Sequence, residues 1–389
     1  MIHRDLSPLL EASASRFPVV TLTGPRQSGK STLCRGLFGH LGYVSLEAPD
    51  TRDFARNDPR AFLGQFEAGA VLDEIQRAPE LVSYLQGIVD DDPTPGRWVL
   101  TGSQNLALLE TVGQSLAGRT SIHHLLPLSR GEVVRFVQHP TTLEEAIWSG
   151  GYPRIFDRGL DPGEWLASYV ATYVERDVRS ISNVTDLVAF QRFIELCAGR
   201  VGQIVNDQAI ASDCGISQPT AKSWRSVLEA SFVSFRLPAF HRSHRKRLVK
   251  SPKLHFYDSG LACWLLGIRE PGHLRSHPLR GALFECWVVT EVLKARSNRG
   301  EQRGLSFYRD RDAVEADLLV ERVGGGVVVE IKSSATPNSH LFDGVRRVRE
   351  LLAGDENVWD GRVVYGGEAE QTRSAGELVP WSRVHEFDW

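Results

Sequence analysis

The chain has 389 residues, 42% of them hydrophobic and 24% charged, with a formal net charge of −3. That length predicts two or three domains with real cores. The near-neutral, slightly acidic balance excludes a molecule that is basic all over, so any nucleic-acid contact has to come from a local patch. No apolar run approaches the ~20 residues of a membrane span, and residues 1–13 mix acids with bases and lack an apolar stretch, which reads as a cytoplasmic protein without a signal peptide.

Five cysteines occur, Cys34, Cys197, Cys214, Cys263 and Cys286. Their odd number and the lack of a C-x-x-C pair predict free thiols. Lysine is scarce, seven among 45 basic residues, so each lysine carries more information than usual. Lys30 and Lys332 both fall inside motifs.

Residues 18–127 alternate short apolar runs with helical patterns, which predicts an α/β unit with a parallel sheet over residues 1–128. The strands are Val19–Thr23, Tyr43–Glu47, Ala70–Asp73, Trp98–Thr101 and Ile122–Leu126. Helices follow Ser31 and span Pro79–Val89 and Leu106–Leu116. Residues 129–185 read as a helical, lid-like segment in which the turn Gly150-Gly151-Tyr152-Pro153 precedes a helix, Pro162–Arg179. Residues 186–266 read as three helices and two strands, Gly267–Pro278 as a linker, and 279–389 as a helix followed by a strand-rich unit. The tail after Gly366 shows no pattern.

The loop Gly24-Pro25-Arg26-Gln27-Ser28-Gly29-Lys30-Ser31 fits G-x-x-x-x-G-K-[ST] between an apolar strand and a helix. Glycines let backbone N–H groups turn inward around phosphate oxygens, and the helix behind them adds unpaired N–H groups and a partial positive charge. The segment from Gly24 to Thr32 is therefore the candidate binding site for ATP. Lys30 reaches the β- and γ-phosphates and Ser31 holds Mg²⁺. The later strand ends in Asp73 and Glu74. Asp73 is the candidate metal anchor and Glu74 the candidate water activator. Ser103 or Asn105, at the end of the next strand, is the candidate polar group beside the γ-phosphate. Arg119 and the cluster Glu175-Arg176-Asp177 are candidates for charge stabilisation, Arg119 from a neighbouring subunit.

With the P-loop, the segments Leu72-Asp73-Glu74-Ile75-Gln76, Leu100-Thr101-Gly102-Ser103, Ser115-Leu116-Ala117-Gly118-Arg119, Gly150–Pro153, Glu175–Asp177 and Phe256-Tyr257-Asp258-Ser259-Gly260-Leu261 resemble prokaryotic AAA-type ATPases that carry a C-terminal domain of unknown function. The resemblance spans nearly the whole chain. It implies an AAA+-like P-loop NTPase module, a winged-helix module and a C-terminal nuclease-like module, and makes a homo-oligomer, such as a ring, an expectation.

In the middle segment, Asp207–Asp213, the turn Cys214–Ser217 and Gln218–Ala230 have helix-turn-helix spacing with a glycine in the turn. Lys222 and Arg225 are placed near the exposed side of the second helix. No acid lies between Ala230 and Tyr257, where seven bases stand: Arg236, Arg242, Arg245, Lys246, Arg247, Lys250 and Lys253. Such a wing suits the phosphate backbone of DNA and predicts strong salt dependence. A scaffold that contacts an acidic neighbouring domain is the alternative.

In the C-terminal segment, Glu285 lies in an apolar helix, Asp317 in the strand Val314–Glu321, and Glu330-Ile331-Lys332 in the strand Val327–Ser333. That order resembles the PD-(D/E)xK nuclease core, a restriction-endonuclease-like α/β fold. Glu330 and Lys332 share a face. In one hairpin register Asp317 faces Glu330, and in a register two residues away it faces Lys332. A three-residue turn without a bulge would put them on opposite faces. Asp317 and Glu330 are candidate Mg²⁺ ligands, Glu285 a further one, and Lys332 the residue that positions water. The same residues also make an inactive relic, since buried carboxylates need a lysine or a metal in any case. Two functions follow: an ATPase acting on DNA, or an ATP-dependent switch that binds a protein partner.

Overall fold

The computed structural model describes residues 2–103, 112–113, 115–174, 186–241, 251–312, 314–353 and 357–389. They form two compact units. The first comprises Met1–Pro127 with Ala230–Phe232 and Ser297–Gly300, and the second the remainder.

The first unit is built on five strands: β1 (Val19–Thr23), β2 (Gly42–Ser45), β3 (Ala70–Asp73), β4 (Trp98–Gly102) and β5 (Thr120–His124). All pairs are parallel, in the order β2-β3-β4-β1-β5. β1, β3 and β4 are buried along their whole length, which is why they read as unbroken apolar runs. β4 separates β1 from β3, so the carboxyl ends of all three converge, and in open α/β sheets such a convergence is where ligands bind. The expected strands and the helix Leu81–Asp91 are present with ends shifted by up to two residues. Most of the expected helix Leu106–Leu116 lies outside the described residues. A helix at Ser7–Ala14, which the sequence reading did not assign, buries Leu10 beneath the sheet.

In the second unit, helices Leu187–Ala198, Asp207–Cys214 and Gln218–Ala230 lead into the antiparallel pair β6 (Ser234–Leu237) and β7 (Lys253–Phe256). The stretch Gly267–Pro278 is not an open tether. It holds a short helix, Pro271–Leu274, and buries Ile268 and Leu274.

The helix Arg280–Asn298 precedes a six-stranded mixed sheet of β8 (Leu305–Arg309), β9 (Glu315–Arg322), β10 (Gly325–Lys332), β11 (Val358–Tyr365), β12 (Gln371–Arg373) and β13 (Gly376–Pro380), in the order β12-β13-β11-β10-β9-β8. Alternation along β10 explains its two-sided burial. Val327, Val329 and Ile331 join the core that holds Phe284 and Trp287. Val328 joins the opposite core with Val345 and Val348 of the helix Asp343–Leu352. The tail that showed no sequence pattern forms β12, β13 and a 3₁₀ turn that buries Trp381, and the terminal Trp389 is buried as well.

Two motifs of the second unit are one joint. The Asp258 carboxylate accepts the N–H of Gly151 at 2.7 Å and of Leu261 at 2.9 Å, capping the helix Ser259–Leu265. A Cβ on Gly150, whose φ is +65°, would lie 2.2 Å from Asp258 Oδ1. The Gly-Gly-Tyr-Pro turn and the Tyr-Asp-Ser-Gly segment thus fix each other by close packing.

Candidate active site

The loop after β1 is shaped by backbone that only certain residues adopt. Gly24 has φ +147°, and a Cβ there would sit 2.2 Å from the Leu125 carbonyl oxygen, so glycine is required. Gly29, at φ +96°, precedes the helix Lys30–Leu37. Among the described residues three non-glycine side chains have positive φ, and two of them, Gln27 (63°) and Glu74 (60°), stand at this site. Backbone of that kind persists where surrounding structure enforces it, commonly at functional sites.

The side chains converge as the motif predicts. Lys30 is buried, and its Nζ donates to the carbonyls of Gly24 at 2.9 Å and Pro25 at 2.8 Å. Burial lowers its pKa to about 8, against the pull of Glu74 and Asp73. Ser31 Oγ donates to Asp73 Oδ2 at 2.8 Å. The other donors to Asp73 are the Tyr43 hydroxyl, on Oδ2, and the Thr101 hydroxyl, on Oδ1. Tyr43 comes from β2, and the Arg35 guanidinium lies 3.8 Å from its ring centroid.

Glu74 is largely buried, and desolvation raises its pKa although Lys30 and Arg26 oppose the shift. Ser103 Oγ donates to Glu74 Oε2 at 3.3 Å, and Gln76 Nε2 donates to the same carboxylate oxygen and, at 3.3 Å, to Ser103. Ser103 thus stands beside the acid. Asn105, its alternative, lies outside the described residues. Arg4, to which the sequence reading gave no role, donates to the carbonyls of Ser28 at 2.7 Å and Leu126 at 2.8 Å and ties the loop to the chain beyond β5.

The residues fit a nucleotide's phosphates and a divalent ion. The buried Ser28 hydroxyl has no hydrogen-bond partner among the described residues, the Gly24 cradle admits no Cβ, and a hydroxyl–carboxylate pair lies near the loop lysine. The exposed Thr32 follows Ser31 on the helix.

Arg119 is not part of this arrangement. Its carbonyl accepts the N–H of Val19 at the start of β1, the opposite end of that strand from the loop. Its guanidinium is engaged by Asp90 at 2.5 and 2.9 Å. Any role for it at a nucleotide would be in another copy. Glu175, Arg176 and Asp177 lie outside the described residues.

Around the helix pair, Lys222 is exposed as expected, but Arg225 is not a DNA-facing residue. It is 4% exposed, and its guanidinium takes Asp207 at 2.8 and 2.9 Å and Glu229 at 2.8 Å. The pattern placed it near the helix surface, and an acid from the preceding helix turned it inward. Arg236 pairs with Glu229 at 2.9 Å. Lys253, counted in the basic stretch, is buried elsewhere. Arg242, Arg245, Lys246, Arg247 and Lys250 lie outside the described residues.

In the C-terminal sheet, β9 and β10 pair so that Arg322 faces Gly325 and Leu318 faces Val329, the register that sets Asp317 against Glu330. A bulge between Ser306 and Tyr308 of β8 leaves an additional β9 residue there, beside Asp317. Ile331 N–H donates to Asp317 Oδ2 at 2.8 Å. Burial raises the pKa of Glu285 and of Glu330 to about 7 and that of Asp317 upward.

The expected metal set is not what the structure presents. Among the described residues no group of three or more His, Cys, Asp or Glu side chains is arranged to hold a metal ion. Lys332 is paired with Glu330. Lys253 reaches Glu285 at 3.0 Å and Glu315 at 2.8 Å. The carboxylates are met by ammonium groups, which satisfy buried acids by charge and hydrogen bonds. Glu315 and Lys253 were missed because strand spacing alone does not say which distant strand lies alongside.

Comparison with known proteins agrees with the first site. Residues 16–134 match the AAA domain family, residues 140–272 a domain of unknown function (DUF8612), and residues 280–384 a domain of unknown function (DUF4143). A Walker-type ATPase of Pyrococcus abyssi is 15% identical, with 68% of this chain and 96% of that chain covered and a TM-score of 0.48. RuvB of Thermotoga maritima is 20% identical over 60% of this chain and 87% of that one, with a TM-score of 0.32. The AAA-domain match and the parallel sheet with its P-loop define an AAA-type P-loop ATPase.

The uncharacterised proteins Rv2008c of Mycobacterium tuberculosis and Mb2031c of Mycobacterium bovis are each 30% identical over 370 residues, 94% of this chain and 80% of the relative. The chain belongs to the family of these mycobacterial proteins. No helix among the described residues is long and apolar enough to cross a membrane.

Proposed function

We propose that the chain binds Mg-ATP in the loop after β1 and hydrolyses it, and that this turnover serves work on DNA. The observation that carries the reading is the Ser31–Asp73 pair at 2.8 Å, with the buried Lys30 and Glu74 beside it. Ser31 and Asp73 would hold the magnesium, which when bound neutralises charge on the phosphates. Lys30 exchanges its loop carbonyls for phosphate oxygens, and the backbone from Gly24 to Thr32 supplies the remaining donors. Glu74 takes the proton of the attacking water, a task suited to a carboxylate whose basicity burial raises. Ser103 and Gln76 hold that carboxylate in place. An arginine at the γ-phosphate has to come from elsewhere than the Arg119 of the same chain, and a homo-oligomer is the proposed source.

The DNA assignment rests on the acid-free stretch after Ala230, in which Arg242, Arg245, Lys246, Arg247 and Lys250 remain as candidate phosphate contacts together with Lys222. The order of helix, turn, helix and antiparallel pair supports reading the segment as a winged helix. One observation favours the second reading, an ATP-dependent switch with a scaffold helix pair. With Arg225 buried against Asp207 and Glu229, Lys222 is the base left on the exposed side of the second helix.

Steady-state ATP turnover with and without single-stranded, duplex and branched DNA separates the two. Stimulation that weakens with salt, and that fades when Arg245, Lys246 and Arg247 become alanine, supports work on DNA. Turnover indifferent to every DNA supports the switch.

A further inference from the structure

Lys253 is the first residue of β7, and its side chain is 5% exposed. The ammonium lies 3.0 Å from Glu285 Oε1, 2.8 Å from Glu315 Oε1 and 3.9 Å from Asp317 Oδ1, with the Phe307 ring centroid at 5.3 Å. One cation therefore bridges carboxylates from the helix Arg280–Asn298 and from β9, and a strand of the helix-turn-helix segment delivers it. Beyond it, Glu330 is taken by Lys332.

His255 stands two residues along β7 and so on the same side of the strand. It is fully buried, neither ring nitrogen has a hydrogen-bond partner among the described residues, and Nε2 lies 3.9 Å from Glu285 Oε1. A ring stacked on Phe235 and without hydrogen-bond partners among the described residues thus stands next to a carboxylate whose cation is supplied from its own strand.

We infer that Lys253 is the resident cation of this cluster: it holds the place among Glu285, Glu315 and Asp317 that a divalent ion would need, and so excludes such an ion while β7 is in position. An entering Mg²⁺ or Mn²⁺ would meet a fixed positive charge within the same carboxylate cage, and that repulsion in a buried site is screened little. An ammonium satisfies the buried acids by charge and hydrogen bonds. It does not generate hydroxide from bound water as a metal ion does. The E-x-K strand of β10 then belongs to an ionic joint between β7 and the C-terminal sheet, without metal-activated cleavage. The inference concerns the second unit and does not depend on the ATP reading.

The test is Mn²⁺ binding to the full chain, read by electron paramagnetic resonance without nucleotide and in a Lys30→Ala background that removes the phosphate site. The chain that keeps Lys253 is expected to bind no Mn²⁺ that depends on Asp317. Lys253→Met is expected to gain one Mn²⁺ per chain through Glu285, Glu315 and Asp317, and adding Asp317→Asn is expected to remove it. Should Lys253→Met fail to fold, Lys253→Gln takes its place. Mn²⁺ bound by the Lys253 chain and lost on Asp317→Asn overturns the inference. So does a folded Lys253→Met or Lys253→Gln chain that binds none.

Discussion

At the end of β3 one carboxylate, Asp73, is surrounded by the hydroxyls of Ser31, Tyr43 and Thr101, while Glu285 of the helix Arg280–Asn298 and Glu315, Asp317 and Glu330 of the six-stranded sheet are met by Lys253 and Lys332. Both places combine acids and a lysine at strand ends, and a residue list does not tell them apart. The difference lies in where the positive charge comes from. Hydroxyls neutralise nothing, so the Asp73 site keeps its demand for a cation, and its lysine is held only by two loop carbonyls. In the other site the demand is met internally by a buried ion-pair network. One arrangement is built to receive a charged ligand, the other to hold the fold.

The contrast is open to direct attack. The largest expected effect is on catalysis: Glu74→Gln should retain nucleotide while turnover falls by about a hundredfold or more, and undiminished turnover would remove Glu74 as the water activator. Next is an asymmetry in stability. Glu285→Ala, which strips one partner from the buried Lys253, should lower urea stability by ~3 kcal/mol, whereas Ser31→Ala should cost at most about 1 kcal/mol and act on Mg-ATP affinity instead. Equal losses would erase the distinction.

Lys30→Ala should abolish the stabilisation by Mg-ATP, worth ~2.7 kcal/mol at about 100-fold excess over Kd, and an unchanged thermal shift would reject the phosphate-site assignment. A smaller effect concerns pH. Glu285 and Glu330 have folded-state pKa values raised to about 7, so the folded state binds more protons than the unfolded chain between about 4.5 and 7. Their contribution is fully present below about pH 4.5 and is lost as pH rises through about 7. Thermal midpoints of the wild type and a Glu285→Gln, Glu330→Gln double variant, compared from pH 5 to 8, should converge at the acid end, and parallel curves would contradict it. The smallest is Gln76→Ala, which removes one donor to Glu74 and should change turnover by about fivefold, read against an unchanged Mg-ATP affinity.

How much of this was legible in the sequence depended on range. The P-loop and the β3 acids are local patterns, and the parallel sheet places them together as their spacing implies. Ser103 was legible as a strand-end polar residue, but Thr101 and Tyr43 were not: their roles require knowing that β4 and β2 flank β3, which is tertiary information. Arg4 gave no signal, being a lone arginine before a short helix. Side-chain alternation left two hairpin registers open for β9 and β10, and the structure has the one that sets Asp317 against Glu330.

Lys253 is the instructive miss. Lysine scarcity marked it as informative, yet its neighbours along the chain are bases, and it read as one more wing charge. Burial beneath Phe307 and pairing with β9 are set by strand packing that no local window contains. Arg225 failed for a related reason, since helical spacing gives a side chain's direction and not the acid waiting on the adjoining helix.

The central claim, that the loop after β1 grips a nucleotide which Glu74 consumes, is tested most directly by loading wild type, Glu74→Gln and Lys30→Ala with Mg-ATP, removing free nucleotide, and quantifying what stays bound by chromatography. The account predicts intact ATP on Glu74→Gln, ADP on the wild type and nothing on Lys30→Ala. Equal nucleotide on all three chains, or ADP on Glu74→Gln at the wild-type rate, would contradict it.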